Sequence, residues 1–123
     1  MVDNSKLHIP IKFVKKGWGY EKWIINKPLY CGKLLFFQAG KKCSWHYHVE
    51  KDEVFYLQSG KMIIRYSDTD DLSNAEELML ESGMNFYVYP GLRHQMEAVE
   101  DTELYEFSTQ HFNSDSYRIA KGD

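Results

Sequence analysis

The chain has 123 residues, 43% of them apolar and 15% aromatic, with a formal charge of −3 and a pI near 5.9. That composition suits one globular domain over residues 1–123, with a core that needs no metal or disulfide staple. It excludes a basic nucleic-acid footprint, a membrane helix of roughly 18 apolar residues and an apolar N-terminal leader, so the expected location is cytoplasmic.

In chain order the pattern predicts short strands and little helix. "IKFV" (11–14) comes first, then "YEKWII" (20–25) and, past Lys27-Pro28, "CGKLLFFQ" (31–38). After Gly40 come "SWHYH" (44–48) and "EVFYLQ" (53–58), closed by Gly60. "KMIIRY" (61–66) runs into the polar stretch 67–77, read as a solvated hairpin loop; its "DTDD" lacks the glycine and terminal glutamate of a calcium loop. "LML" (78–80), "NFYVY" (85–89), "HQMEAV" (94–99) and "ELYEFS" (103–108) follow. About ten short strands with regular turn signals predict an all-β sandwich or barrel. The tail "NSDSYRIAKGD" is left open between fraying and wrapping the body. Cys31 and Cys43 are too few for a disulfide framework and read as small buried apolar residues.

The densest chemistry lies in residues 40–60. Strand side chains alternate faces, so His46 and His48 point the same way, with Ser44 beside them. Glu53 follows the turn at 49–52, which as a hairpin returns its carboxylate beside the histidines. His94 arrives separately, after Pro90-Gly91. Three imidazoles and one carboxylate suit a divalent transition metal such as Mn, Fe, Co, Ni or Zn, and not the oxygen shells of calcium or magnesium. Phe55 and Leu57 share the parity of Glu53 and are expected to face the interior below that site.

Gly40, His46, His48, Glu53 and Gly60 stand at the spacing of the first motif of the cupin superfamily, and residues 83–98 resemble the second. Within the second, six residues rather than five separate Gly83 from Pro90, and Ala98 stands where an asparagine is frequent. The resemblance implies a cupin-type conserved β-barrel, a jelly-roll-like double sheet. It implies a metal at the barrel mouth held by His46, His48, Glu53 and His94, and a homodimer. Residues 15–24 and 106–119 are more weakly similar to the cupin domain of bacterial phosphomannose isomerase and related sugar-phosphate enzymes. Gly17 replaces a proline there, and His46 a glutamine. Trp18 and Trp23 read as packing residues; His8 and His111 read as structural or exposed.

The function expected from this set is a metal-dependent isomerase or epimerase acting on a sugar or sugar phosphate. The metal would polarise a carbonyl. Glu97 and Glu106 are the candidate bases, while Lys33 and Arg93 are candidates to hold an anionic end of the substrate. An Fe(II)-dependent dioxygenase and a non-catalytic cupin that binds a small polar ligand are the alternatives, because fold does not decide function.

Overall fold

Eleven strands form two antiparallel sheets in the computed structural model, which describes residues 11–123. His8 lies outside them. The strands are β1 (Lys12–Lys16), β2 (Gly19–Asn26), β3 (Cys31–Phe37), β4 (Trp45–Tyr47), β5 (Glu53–Ser59), β6 (Lys61–Ser67), β7 (Glu76–Glu81), β8 (Asn85–Val88), β9 (Arg93–Ala98), β10 (Thr102–Ser108) and β11 (Tyr117–Ala120). The six-stranded sheet has the order β1-β2-β3-β10-β5-β8, and the five-stranded sheet β11-β4-β9-β6-β7. No α-helix occurs among the described residues, and no helix there is long and apolar enough to cross a membrane.

Alternation along each strand builds the core. Leu35 and Phe37 of β3, Phe55 and Leu57 of β5, Met62 and Ile64 of β6 and Leu104 of β10 turn inward and are buried together. Phe55 and Leu57 therefore sit where the parity of Glu53 places them. Burying one such side chain contributes about 1.5–3 kcal/mol. Trp18 packs in this core, stacked on Phe37 with ring centres 4.0 Å apart. Cys31 and Cys43 are buried free thiols, and burial pushes that of Cys43 up to about 12.

Two expectations are corrected and one open point is closed. The turn at 49–52 is not a hairpin: β4 and β5 belong to different sheets, so the chain crosses the sandwich there. Asp115 holds the crossing. Its carboxylate accepts from the backbone N–H groups of Val49, Glu50 and Lys51 at 2.8–3.1 Å. The polar stretch after β6 is not all loop. It holds a 3-10 turn (Leu72–Asn74) capped by the Asp71 side chain, and β7 starts at Glu76. The tail wraps rather than frays, as β11 pairs with β4.

One glycine bears directly on the site. Gly91 has φ +91°, a region that glycine enters without a Cβ penalty. Its N–H donates to the His48 carbonyl at 2.6 Å, tying the turn before His94 to the end of β4.

Candidate metal centre and its cavity

His46 pairs directly with His94 across β4 and β9, and His48 lies two residues along on the same face. The three imidazoles offer ligand nitrogens within 4.8 Å of one another. Each ring is oriented by the backbone. Nδ1–H donates to Ser44 O in His46 (2.8 Å), to Asp115 O in His48 (2.8 Å) and to Leu92 O in His94 (2.9 Å). A carbonyl only accepts, so Nδ1 carries the proton and every Nε2 keeps its lone pair. Glu53 comes from the other sheet. Its Oε2 is 3.5 Å from His48 Nε2 and 3.8 Å from His94 Nε2.

Electrostatics keep these imidazoles neutral. Burial first, then the charge of a neighbour (His94, Lys51 and His48 respectively), pushes His46, His48 and His94 down to about 3. Burial, then Glu106, pushes Glu53 up to about 8. Both Glu53 carboxylate oxygens and His94 Nε2 are buried without a hydrogen-bond partner among the described residues. Such orphaned atoms are costly and rare in folded proteins. The three imidazoles form the group, and Glu53 Oε2 borders it at His48 and His94; one cation held there would satisfy the orphaned atoms, so the donor set fits a divalent transition metal.

The same cavity, about 730 Å³, holds further buried charge. Lys51 Nζ lies 2.8 Å from Glu106 Oε2, 3.8 Å from Glu53 Oε1 and 2.9 Å from His111 Nδ1. His111 Nε2 donates to Asn113 Oδ1 at 3.1 Å, which leaves Nδ1 to accept from the ammonium. Burial opposes the charge of Lys51, but Glu106 and Glu53 outweigh it and raise its pKa. Burial also opposes the charge of Glu106, but Lys51 and then Lys33 hold its carboxyl down at about 2. Lys33 pairs with Glu106 across β3 and β10 and lines the cavity.

Two other sequence candidates point elsewhere. Glu97 is three residues from His94 on β9, hence on the opposite face, where it accepts from Arg65 at 2.8 Å. Arg93 adjoins His94 and faces outward too. Its Nε donates to Asp70 at 2.9 Å, and its guanidinium lies 3.8 Å from the Tyr47 ring centre. Glu106 and Lys33 are thus the candidates that reach the cavity. Sequence reasoning missed Lys51 and Asp115, and gave Trp23 and His111 packing or surface roles although both line the cavity.

Residues 33–108 match the family profile described as the cupin domain, well over half of the chain. The chain belongs to the cupin family. No curated protein matches it. Among solved structures it resembles CapF, a capsular polysaccharide assembling protein of Staphylococcus aureus, in a complex with the inhibitor 3-isopropenyl-tropolone: 20% identity, TM-score 0.80, 93% of this chain and 36% of that one. KdgF from Halomonas sp. matches with 18% identity, TM-score 0.67, 77% of this chain and 81% of that one. Bacillus subtilis oxalate decarboxylase matches with 14% identity, TM-score 0.77, 88% of this chain and 30% of that one. This cupin spans about a third of the CapF and oxalate decarboxylase chains. At such identities the likeness is one of fold.

Proposed function

We propose that this cupin is a metal-dependent isomerase or epimerase acting on a small sugar or sugar phosphate, with His46, His48, Glu53 and His94 as metal ligands. The observation that carries this reading is the Lys51–Glu106 pair, buried in the same cavity with Lys51 3.8 Å from Glu53. Moving a proton between neighbouring carbons needs an acceptor and a donor at one place. Glu106 is an ionised carboxylate and Lys51 an ammonium, 2.8 Å apart. A divalent ion in the cradle would supply Lewis acidity toward a carbonyl or hydroxyl oxygen. Glu106 then takes the carbon-bound proton, and Lys51 holds a proton for the oxygen that gains charge. Lys33, directly opposite Glu106, steadies the carboxylate. This acid–base pair is the feature that favours proton transfer over the dioxygenase alternative.

The test is solvent exchange. Protein reconstituted with Mn or Zn is incubated in D₂O with a panel of aldoses, ketoses and their phosphates, and deuterium beside the carbonyl is followed by NMR. Exchange is expected with at least one member, and Glu106→Gln is expected to slow it about 10²- to 10⁴-fold. Oxygen uptake by the Fe(II)-loaded protein without any exchange would support the dioxygenase instead.

The reading includes a homodimer. Ile24, Tyr30, Tyr105 and Phe107 line an apolar groove on the outer face of the six-stranded sheet. Phe107 is 56% exposed and Tyr30 52%. A contiguous apolar patch of this kind marks an interaction surface. Light scattering is expected to give twice 14.6 kDa, and Phe107→Glu to halve it; a wild-type monomer would remove the dimer from this reading.

A further inference from the structure

The wall of the cavity formed by β1, β2 and β3 carries more positive charge than it neutralises. Trp23 pairs with Lys12 across β1–β2 and with Lys33 across β2–β3. The three side chains therefore stand in one row on the cavity face, which Glu106 continues beyond Lys33. Lys12 Nζ lies 4.3 Å from the Trp23 ring centre and Lys33 Nζ 4.0 Å. Lys16, on the same face of β1, is 3.9 Å from Glu21 Oε2.

The acceptors available to these lysines are few. Glu21 Oε1 accepts from Trp23 Nε1–H at 2.8 Å and stands 3.7 Å from Lys33 Nζ. Both lysine contacts with Glu21 exceed hydrogen-bond length. Glu106 is committed to Lys51. Lys33 is 2% exposed, and its Nζ has no hydrogen bond among the described residues. Glu21 Oε1 and the Trp23 ring face this ammonium at longer than hydrogen-bond distance, which leaves its N–H donors open to an incoming anion. Burial already draws its pKa below the usual lysine range. Lys16 and Lys33 thus share the one Glu21 carboxylate, and Lys12 makes no ion pair among the described residues, so this wall is locally positive in a chain of formal charge −3. On the facing wall Arg118, paired with His46 and so on the cavity side of β11, adds a guanidinium that forms no ion pair among the described residues.

We propose that Lys12, Lys16 and Lys33, set around Trp23, form a subsite for a phosphate monoester, with Arg118 facing it from the other wall. A phosphate monoester carries about −1.5 to −2 at neutral pH on three acceptor oxygens and can meet several ammonium groups at once; a carboxylate brings one charge on two oxygens. From Trp23 to Glu106 is two strand spacings, about 10 Å, the length of a phosphorylated sugar of five or six carbons. The phosphate end then rests on β1–β3 while the carbonyl end reaches Glu106 and the histidines. The identity of the rest of the ligand rests on the sugar reading above; the charge of its end does not.

The experiment is calorimetric binding at low salt, to the protein as purified and after metal removal. The probes are inorganic phosphate, glucose 6-phosphate, glucuronate and glucose. Phosphate and glucose 6-phosphate are expected to bind in both states, glucuronate at least tenfold more weakly and glucose not measurably. Lys33→Met and Lys12→Met are each expected to weaken phosphate binding about tenfold, the loss of one charge-assisted contact. Lys33→Met also removes a charge that Glu21 and Glu106 face, so its melting temperature is recorded beside its affinity; Lys12 lies at the exposed edge and provides a second variant that folds. Glucuronate binding as tightly as phosphate would overturn the phosphate assignment, and equal binding by glucose would overturn the anion site. Unchanged affinity in both variants would overturn the residues named. None of these readings needs turnover, so a failed isomerase test leaves them intact, and their failure leaves the exchange experiment standing.

Discussion

After reconstitution and removal of loose metal, the protein is expected to hold about one transition-metal ion per chain, and the His48→Ala protein almost none. His48 sits at the junction of the site. Its Nδ1–H is held by the Asp115 carbonyl, its Nε2 faces Glu53 Oε2 at 3.5 Å, and its own carbonyl receives Gly91 N–H. Removing the ring takes away one of the proposed ligands and leaves the apolar core of Phe55, Leu57, Met62 and Leu104 in place. Glu97→Gln is the control, because that carboxylate lies on the far side of β9 against Arg65. Metal analysis of the three proteins decides the matter. Equal content in all three, or none in the wild type, would reduce the quartet to a polar barrel mouth.

The histidine pair was legible because strand alternation is a local rule: residues 46 and 48 must share a face. The same rule applied to β9 rejects Glu97 and Arg93, which stand three and one positions from His94; the signal was in the sequence. The route taken by Glu53 was not. A four-residue turn can close a hairpin or cross between sheets, and the choice here depends on Asp115, more than 60 residues away. Lys51 was hidden for the same reason. In the string "VEKD" it reads as a solvated turn lysine, and it is buried because Glu106 and His111 meet it from β10 and the segment that follows. The row Lys12–Trp23–Lys33 exists only once the registers of β1, β2 and β3 are set. Registers between strands are long-range facts that no single segment encodes.

The metal-free protein is expected to be most stable near pH 6.5, as far as this site decides. His46, His48 and His94 are pushed down to about 3, from an ordinary value of 6.5. Below pH 6.5 the unfolded chain takes up protons that the folded site refuses, so stability falls with falling pH toward about 3. Across that window each imidazole contributes on the order of a few kcal/mol. Glu53 acts in the opposite sense. Held up at about 8 against an ordinary 4.5, it keeps a proton in the fold that the unfolded chain releases. Its contribution is complete below pH 4.5 and is lost as pH rises through about 8. Between 4.5 and 6.5 three imidazoles outweigh one carboxyl, and above 6.5 Glu53 alone slopes the curve downward. Urea midpoints of EDTA-treated protein, taken from about pH 4.5 to about 8.5, should therefore pass through a maximum, and Glu53→Gln should flatten the alkaline arm. With metal bound the alkaline arm should reverse, because the ion takes Glu53 as a carboxylate and its affinity grows as that proton becomes easier to release. A metal-free curve still climbing at pH 8, or an alkaline arm unchanged by Glu53→Gln, would show that this carboxyl is already ionised in the fold.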